Sequence, residues 1–470
     1  MRPAIPQPLT RQESGLTVAD QPAFAAHETM PSLPDKKYHP VIRKLRWSFL
    51  SVYLRLCLLV IGINITTMVV LGAHHQLTSL PPEAAATATS INLMLGILVR
   101  QELIVNSLFW LLGRCPTSAP LRLRRLAAKV YHLGGVHSGT AIAATIWFGI
   151  FNVSLFKSLG SGSIKENGMA IRTITILLDM LLGTIIATAF PCLRTRVHDL
   201  FEILHRFMGW IAIVLFWTLF GLLVHAKLDD PSIELTLLEV IGSSPLFWSL
   251  LLATFSIALP WLRLRKVSVR AEPLSNHALQ LHFSGENLPL CAAVRLSTRP
   301  LFEWHAFATI PFDDGGGFSV IVSYAGDWTA RLVESPPTKL WVRGIPTIGV
   351  LHMASIFKKV VLVATGSGIG PVLSLTSHRH PVCRIIWSTP DPNATYCRTV
   401  VAKVREADPD ALIFNTTRSG RPDLVRHIYQ LYSTSGSEAI FLVSNPQVTK
   451  QVVYELESRG VPIFAPIFDS

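Results

Sequence analysis

The sequence is poor in charged residues and in the patterns that mark several common classes of protein. Only 15% of its 470 residues are charged, whereas half are hydrophobic. Its six cysteines are far apart and form no CxxC pair, so their spacing predicts neither a zinc site nor a disulfide framework. The net charge of +12 comes from basic residues beside apolar segments, and this distribution argues against a nucleic-acid partner. The composition instead predicts a chain that lies partly in a lipid bilayer.

Six apolar segments are each long enough to cross a bilayer, which takes about 20 residues. They lie at roughly 47–73, 88–113, 128–154, 170–190, 201–225 and 245–262. Basic residues cluster after the second, fourth and sixth segments, so the positive-inside rule predicts six transmembrane helices with both termini in the cytosol. The aperiodic residues 1–46 predict a disordered cytosolic tail, and the first apolar run begins too late and is too long for a cleaved signal peptide. The identity of the membrane, plasma membrane or endomembrane, stays open.

Three charged residues lie inside the second and fourth predicted spans, namely Arg100, Glu102 and Asp179. Charged side chains are costly in lipid, so we expect these residues to face the bundle interior and to pair with other groups. A conduction path through the membrane is the alternative interpretation.

From residue 267 the chain changes to short alternating segments with turn signals. The interval 267–357 predicts an antiparallel β-barrel. Strand-like runs then alternate with helical stretches over 358–470, which predicts an α/β domain with a parallel sheet. The predicted fold is therefore multi-domain: a tail at 1–46, a six-helix transmembrane bundle at 47–265, the barrel and the α/β domain.

A glycine-rich stretch, VVLVATGSGIGPVL at 360–373, joins the first strand of the α/β domain to a helix. Glycine lets the backbone approach a pyrophosphate closely and adopt φ values that other residues reach only at a cost. The residues predicted to bind the nucleotide are Gly366, Ser367, Gly368, Gly370 and Pro371. A tight strand-to-helix turn without a ligand is the alternative, but the place of the stretch at the head of an α/β run favours a phosphate site.

The order of these predicted domains and three local motifs resemble the ferric reductase and NADPH oxidase superfamily. The likeness runs from about residue 47 to the end. WHAFATI at 304–310 resembles the flavin motif His-Pro-Phe-Ser/Thr, GDWT at 326–329 resembles Gly-x-Trp-Thr, and the glycine-rich stretch resembles the nicotinamide-phosphate loop. Within the superfamily, the segments 198–210, 420–423 and 464–470 look most like fungal TmpA-type membrane flavoproteins, which are linked to signalling or secondary metabolism.

This resemblance implies FAD on a ferredoxin-reductase-like barrel and NADPH or NADH on the α/β domain. The residues that it assigns to the flavin are His305, Phe307, Thr309, Trp328 and Thr329, with ring stacking on Phe468. Arg418 and Arg421 would meet a 2′-phosphate and favour NADPH, and a solvated pair of loop residues is the alternative. Ser444 replaces the family's cysteine near the nicotinamide, and Ser444 and Phe468 are the residues that the resemblance assigns to catalysis. Alanines at 306 and 308 replace the family's Pro and Ser/Thr, and residue 309 faces the opposite side of a strand from residue 308.

Haem ligation in the superfamily needs two histidines on the third helix and two on the fifth, 13 or 14 residues apart. Here an apolar residue stands at position 150 or 151, and His225 is about 30 Å along the helix from His205 at 1.5 Å per residue. The resemblance therefore implies no more than one inner haem, between His205 and either His137 or His132. Polar contacts of these histidines at the membrane interface are the alternative.

These observations together predict an integral membrane, NAD(P)H-dependent flavin oxidoreductase. It takes hydride onto FAD at the cytosolic face and passes electrons to an unknown acceptor. Catalysis in such a fold is mainly positioning of two rings, so the absence of an obvious acid or base is no objection. The alternatives are a haem-containing transmembrane reductase of metal or oxygen, and a non-catalytic signalling or scaffold protein with a degenerate flavin module.

Overall fold

Helices occupy the first part of the chain, and strands begin at Arg265. The computed structural model describes residues 32–75, 81–161, 167–230, 234–285, 288–377 and 381–466. The α-helices before the first strand are α1 (Pro40–Arg43), α2 (Val52–His75), α3 (Pro82–Leu98), α4 (Glu102–Gly113), α5 (Leu121–Ala127), α6 (Gly134–Gly160), α7 (Gly168–Thr188), α8 (Pro191–Arg194), α9 (His198–Leu228), α10 (Leu237–Gly242) and α11 (Pro245–Leu262).

Five of the described helices are long and apolar enough to cross a membrane. They are the segment Val52–Ala73 of α2 and the whole of α6, α7, α9 and α11. The pair α3 and α4 passes the same criteria only as one span, and it is bent by 68°. The second predicted span is therefore broken, because the side chain of Gln101 accepts a hydrogen bond from the backbone N–H of Leu103 and starts a new helix there.

The helices α2 and α6 approach each other closely at two glycines four residues apart. A Cβ on Gly135 would overlap the carbonyl oxygen of Tyr53, and a Cβ on Gly139 would lie 2.8 Å from the carbonyl oxygen of Cys57. Small residues at this spacing let helix backbones pack directly against each other, which is the usual device of helices in lipid.

Polar side chains between these helices are paired. The amides of Asn64 and Asn92 donate to each other at 3.1 and 2.9 Å, which joins α2 to α3. The amide of Asn152 donates to Asp179 at 2.7 Å, which joins α6 to α7. The expectation that Asp179 pairs inside the helical region is thus met, whereas Glu102 finds its partner outside that region, in the β-rich part of the chain.

Two antiparallel sheets follow the helices and enclose an apolar core. Their strands are β1 (Arg265–Ser268), β2 (Arg270–Pro273), β3 (Ala278–Ser284), β4 (Ala292–Ser297), β5 (His305–Ala308), β6 (Ile310–Pro311), β7 (Gly317–Ser323), β8 (Lys339–Val342) and β9 (Thr347–Ile348). One sheet has the order β1-β8-β4-β5 with β9 beside β4, and the other has the order β2-β3-β7-β6. The GDWT motif caps and begins the helix α12 (Asp327–Glu334).

The rest of the chain forms a parallel sheet with helices on both faces. Its strands are β10 (Lys359–Thr365), β11 (Val382–Thr389), β12 (Leu412–Asn415), β13 (Ala439–Val443) and β14 (Ile463–Phe464). The helices are α13 (Ile369–Thr376), α14 (Pro392–Ala407), α15 (Thr416–Ser419), α16 (Leu424–Ser435) and α17 (Pro446–Glu457). The strand order is β12-β11-β10-β13-β14, and every pairing is parallel. The alternation predicted from the sequence is confirmed.

The helical region and the α/β domain are joined by a short basic segment. Arg124 of α5 donates to both carboxylate oxygens of Glu438, at 2.6 and 2.9 Å, and to the carbonyl oxygen of Ile356. This paired arginine is buried, so the basic loop after the second predicted span contacts protein as well as solvent.

Part of the predicted N-terminal tail is also docked on the α/β domain. The ammonium of Lys36 lies 2.6 Å from a carboxylate oxygen of Glu455, and the backbone N–H of Lys37 donates to Ser458. The disordered tail at 1–46 stays a prediction, and residues 1–31 of it lie outside the described part of the chain.

Candidate functional site

The glycine-rich stretch forms a tight turn between β10 and α13. Gly366 has a φ of +53°, a conformation that glycine adopts without strain. Gly368 has no room for a side chain, because a Cβ there would lie 2.5 Å from the carbonyl oxygen of Val443. Gly370 has no atom within 4 Å of the same position. The backbone N–H groups at the start of α13 therefore lie next to a turn whose shape requires glycine. Proteins commonly bind phosphate groups at such a helix N-terminus.

The glycine turn lies at the point where the order of the parallel strands reverses. The chain passes from β10 to β11 on one side and from β13 to β14 on the other, so a crevice opens between the carboxyl ends of β10 and β13. The hydroxyl groups of Thr365 and Ser444 meet in this crevice at 2.7 Å. Ser444, predicted to be catalytic, therefore lies beside the glycine turn, in the position where open α/β sheets bind their ligands.

The two arginines predicted to contact a 2′-phosphate lie at the same carboxyl edge of the sheet. Arg418 belongs to α15, which starts directly after β12 and has the last residue of that strand, Asn415, as its N-cap. The Asn415 side chain accepts hydrogen bonds from the backbone N–H groups of residues 417 and 418 at 3.1 Å and fixes this turn. Both Arg418 and Arg421 are exposed, so their guanidinium groups are accessible to an anion from solvent.

The flavin-like and Gly-x-Trp-Thr motifs come together as one aromatic cluster. The ring of His305 stacks on Trp328 with centroids 4.1 Å apart, and Phe307 lies 5.8 Å from the same tryptophan. Burial lowers the pKa of His305, so its imidazole is neutral at pH 7. Its buried Nε2 atom has no hydrogen-bond partner among the described residues. This atom is the one unsatisfied polar group of the cluster, and it fits a contact with a bound group.

The two predicted threonines use their hydroxyl protons within the protein. Thr309 is fully buried and donates to the carbonyl oxygen of Ala292 at 3.1 Å. Thr329 donates to the carbonyl oxygen of Gly326 at 2.9 Å and accepts from the N–H of the same glycine at 3.0 Å, which caps α12. These hydrogen bonds give both threonines a structural role and do not support the prediction that they contact a cofactor. Phe468 lies outside the described residues.

Tyr396, which the sequence did not single out, connects the barrel to the glycine turn. Its hydroxyl lies 3.0 Å from the hydroxyl of Ser323 on β7, and its ring packs against Trp387. The indole of Trp387 in turn donates to the carbonyl oxygen of Gly366 at 3.0 Å. Burial raises the pKa of Tyr396, so the phenol stays neutral. The flavin-like barrel and the nucleotide-type turn are therefore in direct contact.

The barrel motif also contacts the helical region. Trp304, next to His305, lies 6.3 Å from Trp261 of α11, and the guanidinium of Arg343 lies within 5 Å of both rings. Burial lowers the pKa of Arg343 to about 10, so the residue stays cationic at neutral pH. Arg206 of α9 donates to the carbonyl oxygen of Leu301 at 2.6 Å. The candidate flavin site thus lies beside the ends of α9 and α11.

Two of the histidines predicted as haem ligands are brought together. The rings of His137 on α6 and His205 on α9 have centroids 6.1 Å apart. The Nδ1 of His137 donates to the carbonyl oxygen of Gly96 at 2.8 Å, the kind of contact that orients metal-binding imidazoles. His132 instead packs on Tyr131. The described residues contain no group of three or more His, Cys, Asp or Glu suited to a metal ion, and a single haem stays a prediction.

Comparisons with known proteins identify relatives that are named as reductases. Residues 350–470 match the family model "Adenylate-forming reductase 03009, C-terminal domain", and this interval contains the glycine turn, Tyr396 and Ser444. The chain is 38% identical over 437 residues to adenylate-forming reductase 03009 and 38% identical over 442 residues to adenylate-forming reductase 06235, both of Coprinopsis cinerea (strain Okayama-7 / 130 / ATCC MYA-4618 / FGSC 9003). Each alignment covers 93% of this chain and 42% of the relative, so the chain spans less than half the length of these relatives.

Solved structures match the C-terminal part of the chain more distantly. A ferredoxin NADP⁺ reductase from Neisseria gonorrhoeae with bound FAD and NADP covers 44% of this chain and 98% of its own, at 15% identity and a TM-score of 0.36. The ferredoxin reductase in carbazole 1,9a-dioxygenase covers 44% of this chain and 68% of its own, at 16% identity and a TM-score of 0.34. The curated relatives carry the name of adenylate-forming reductases, so the narrower resemblance to TmpA-type proteins stays a prediction.

Proposed function

We propose that the protein is a membrane-bound flavin oxidoreductase that takes hydride from NADPH or NADH onto FAD at the cytosolic face of its membrane. The observation that carries this proposal is the crevice between β10 and β13. There the Thr365–Ser444 hydroxyl pair adjoins a turn that requires glycine at 366 and 368, and Tyr396 joins that turn to the barrel. The names of the curated relatives agree with a reductase.

The α/β domain would bind the nicotinamide nucleotide along the carboxyl edge of its sheet. Backbone N–H groups at the glycine turn and at the start of α13 would hold the pyrophosphate. The hydroxyls of Thr365 and Ser444 are uncharged, so they fit the nicotinamide end and exclude water there without a titrating group. Arg418 and Arg421, both exposed, would bind a 2′-phosphate and so favour NADPH over NADH.

The barrel would hold FAD at the cluster of His305, Phe307 and Trp328. The flavin supplies a ring that accepts hydride and releases electrons to the next acceptor. Trp328 is buried behind His305 and fixes the plane of the imidazole, while the unpaired Nε2 of His305 offers one contact to the bound group. Hydride transfer needs reacting atoms about 3–3.5 Å apart, so the main task of these residues would be to hold the flavin ring at this distance from the nicotinamide ring.

The names of the relatives favour one class of electron acceptor. A reductase that forms adenylates activates a carboxylate, and two-electron reduction of the activated acyl group with release of AMP gives an aldehyde. The similarity extends over 93% of this chain but 42% of each relative, so the activating step would reside in a further domain or a separate protein. We therefore propose an activated acyl group as the acceptor, with transfer to a haem between His137 and His205 as the second candidate.

A visible spectrum of the detergent-purified protein, recorded before and after addition of NADPH in the absence of oxygen, tests this proposal. Flavin absorbance that NADPH bleaches supports an oxidoreductase, and a strong Soret band identifies the haem-containing alternative. Protein that shows no flavin absorbance even after incubation with FAD, and no response to NADPH, would support the signalling or scaffold alternative instead. Addition of acyl adenylates to the NADPH-reduced protein tests the acceptor, because an acyl acceptor restores the oxidised flavin spectrum and yields aldehyde.

A further inference from the structure

The helix α4 has one face that is fixed to the β-rich part of the chain. The carboxylate of Glu102 pairs with Arg295 of β4 and accepts the backbone N–H of Ile345 at 2.8 Å. The amide of Asn106 donates to the carbonyl oxygen of residue 346 at 2.9 Å and accepts the N–H of residue 348 at 2.8 Å. Phe109, one turn further on, is buried against the same surface. These contacts fix α4 to the barrel over about two turns.

The opposite face of α4 is apolar and exposed. Leu103, Ile104, Trp110 and Leu111 are 49%, 39%, 51% and 60% exposed, respectively. Their spacing of i, i+1, i+7 and i+8 places them on a single stripe along the helix. A helix that packs on a domain and faces water on its other side shows charged and polar residues on that side. The stripe on α4 is apolar apart from the exposed Ser107, and its apolar side chains remain 39–60% exposed in the described part of the chain.

Position and charge both favour a lipid surface as the partner of this stripe. α4 begins only a few residues after α3, and the two helices form a candidate span bent by 68°, so α4 starts at the edge of the apolar layer and turns away from its normal. The guanidinium of Arg114 lies 3.4 Å from the centre of the Trp110 ring at the end of the stripe. Tryptophan and arginine side by side are typical of the headgroup region, where an aromatic ring lies in the acyl boundary and a cation meets phosphate.

Two other exposed apolar residues lie beside basic ones in the next helix of the chain. They are Leu123 and Leu126 of α5, adjacent in the chain to Arg122 and Arg125.

We propose that α4 is an interfacial helix that lies in the plane of the cytosolic leaflet, with its apolar stripe in the lipid and Arg114 at anionic headgroups. This inference rests on the proposed membrane location of the chain. The pair formed by Glu102 and Arg295 also connects α4 to the candidate flavin site. Arg295 lies opposite residue 306 in the register of β4 and β5. The leaflet thereby sets the position of the strand that carries the flavin-like motif.

Site-directed spin labelling of the full chain in vesicles of phosphatidylcholine and phosphatidylserine tests this proposal. A nitroxide is attached at Leu111→Cys, in a background where the accessible cysteines are replaced by serine. The matched labels are Ile63→Cys, exposed on the candidate span α2, and Ser433→Cys, exposed on α16. All three positions point away from protein, so the labels leave packing unchanged. Collision rates with oxygen and with a water-soluble nickel complex report the depth of each label.

The proposal predicts that the label at 111 has high oxygen and low nickel accessibility, at a depth of about 5–10 Å below the headgroups. The label at 433 should be fully accessible to nickel, and that at 63 should be the deepest. A label at 111 as accessible to nickel as the label at 433, with 63 still in lipid, would overturn the interfacial helix and leave the membrane proposal standing. Labels at both 111 and 63 in water would overturn both. Strong dipolar coupling between copies labelled at 111 would assign the stripe to a second copy of the chain instead.

Discussion

The substitution Gly368→Ala tests the glycine turn, because the structure predicts a purely steric effect there. A Cβ at this position would lie 2.5 Å from the carbonyl oxygen of Val443 and 3.2 Å from its carbonyl carbon, whereas ordinary contacts begin near 3.4 Å. The φ of Gly368 is −56°, which alanine adopts freely, so backbone strain contributes nothing. The turn must therefore move away from β13 by about 1 Å, and overpacking of this kind costs about 1–3 kcal/mol.

This displacement of the turn alters the crevice itself, because Val443 immediately precedes Ser444. If the displaced turn loses a similar free energy of phosphate binding, the dissociation constant for NADPH rises about tenfold, since 1.4 kcal/mol corresponds to a factor of ten. Isothermal titration with NADP⁺ and thermal unfolding in detergent measure the two effects separately. Both the affinity and the unfolding temperature should fall in G368A.

Gly370→Ala is the matched control on the same turn. No atom lies within 4 Å of a Cβ at this position, and alanine inside a helix is favoured over glycine by about 0.5–1 kcal/mol. G370A should therefore unfold at the same temperature as the wild type or slightly above it, and any loss of NADP⁺ affinity then reports a ligand close to residue 370. A G368A protein as stable and as tightly binding as the wild type would refute the steric reasoning.

Two further substitutions test the contacts between the helical region and the β-rich and α/β parts. Glu438→Gln should cost about 1.5–3 kcal/mol at pH 7, because it removes charge-assisted hydrogen bonds from Arg124. These bonds hold the pKa of Glu438 below its usual range, so their stabilisation is complete above about pH 4.3, the pKa of an unfolded glutamate, and is lost as the pH falls through the lower folded-state value. E438Q should accordingly flatten the acid limb of a plot of unfolding temperature against pH, and an unchanged acid limb would contradict this assignment. Glu102→Gln should weaken the contact with Arg295 and accelerate amide hydrogen exchange at Ile345, whose N–H the carboxylate accepts; exchange as slow as in the wild type would argue against the docked face of α4.

The α/β domain was predictable because its local signals agree with its tertiary structure. Every strand except β14 is a short, mainly apolar run that ends at or directly before Ser, Asn or Thr, and β10 leads directly into the glycine turn. Two of the connecting helices, α14 and α17, begin with Pro directly after an Asp or Asn, at Pro392 and Pro446, so their starts are visible in the sequence. Ser444 lies beside the turn because it follows β13, which pairs with β10 next to Thr365.

The break in the second predicted span could not be found in this way. The residues on both sides of Arg100, Gln101 and Glu102 are apolar, so the hydropathy pattern continues through the bend. The partner that holds Glu102 is Arg295, a contact between residues 193 apart in the chain. The same reason applies to Lys36, whose partner Glu455 lies at the other end of the sequence. The hydropathy pattern of one short stretch of sequence contains no information about pairs of residues that are so far apart in the chain.

The roles of the two threonines show a different limit of motif matching. Thr329 matches the family motif, but its hydroxyl caps α12, and the motif alone does not distinguish a cap from a cofactor contact. Thr309 is fully buried but lies between β5 and β6, in neither strand, so the strand alternation expected of residues 308 and 309 does not apply to it. Tyr396 was missed because a buried aromatic at the start of a helix looks like an ordinary core residue.

Anaerobic stopped-flow mixing of the FAD-loaded protein with NADPH deuterated at the transferred C4 position tests the central claim most directly. Flavin absorbance should disappear in a single turnover, more slowly with deuterated than with unlabelled NADPH, because the hydride itself is transferred across the contact between the two domains. Flavin absorbance that stays unchanged on mixing, in protein shown to contain FAD and to bind NADP⁺, would contradict the proposed hydride transfer.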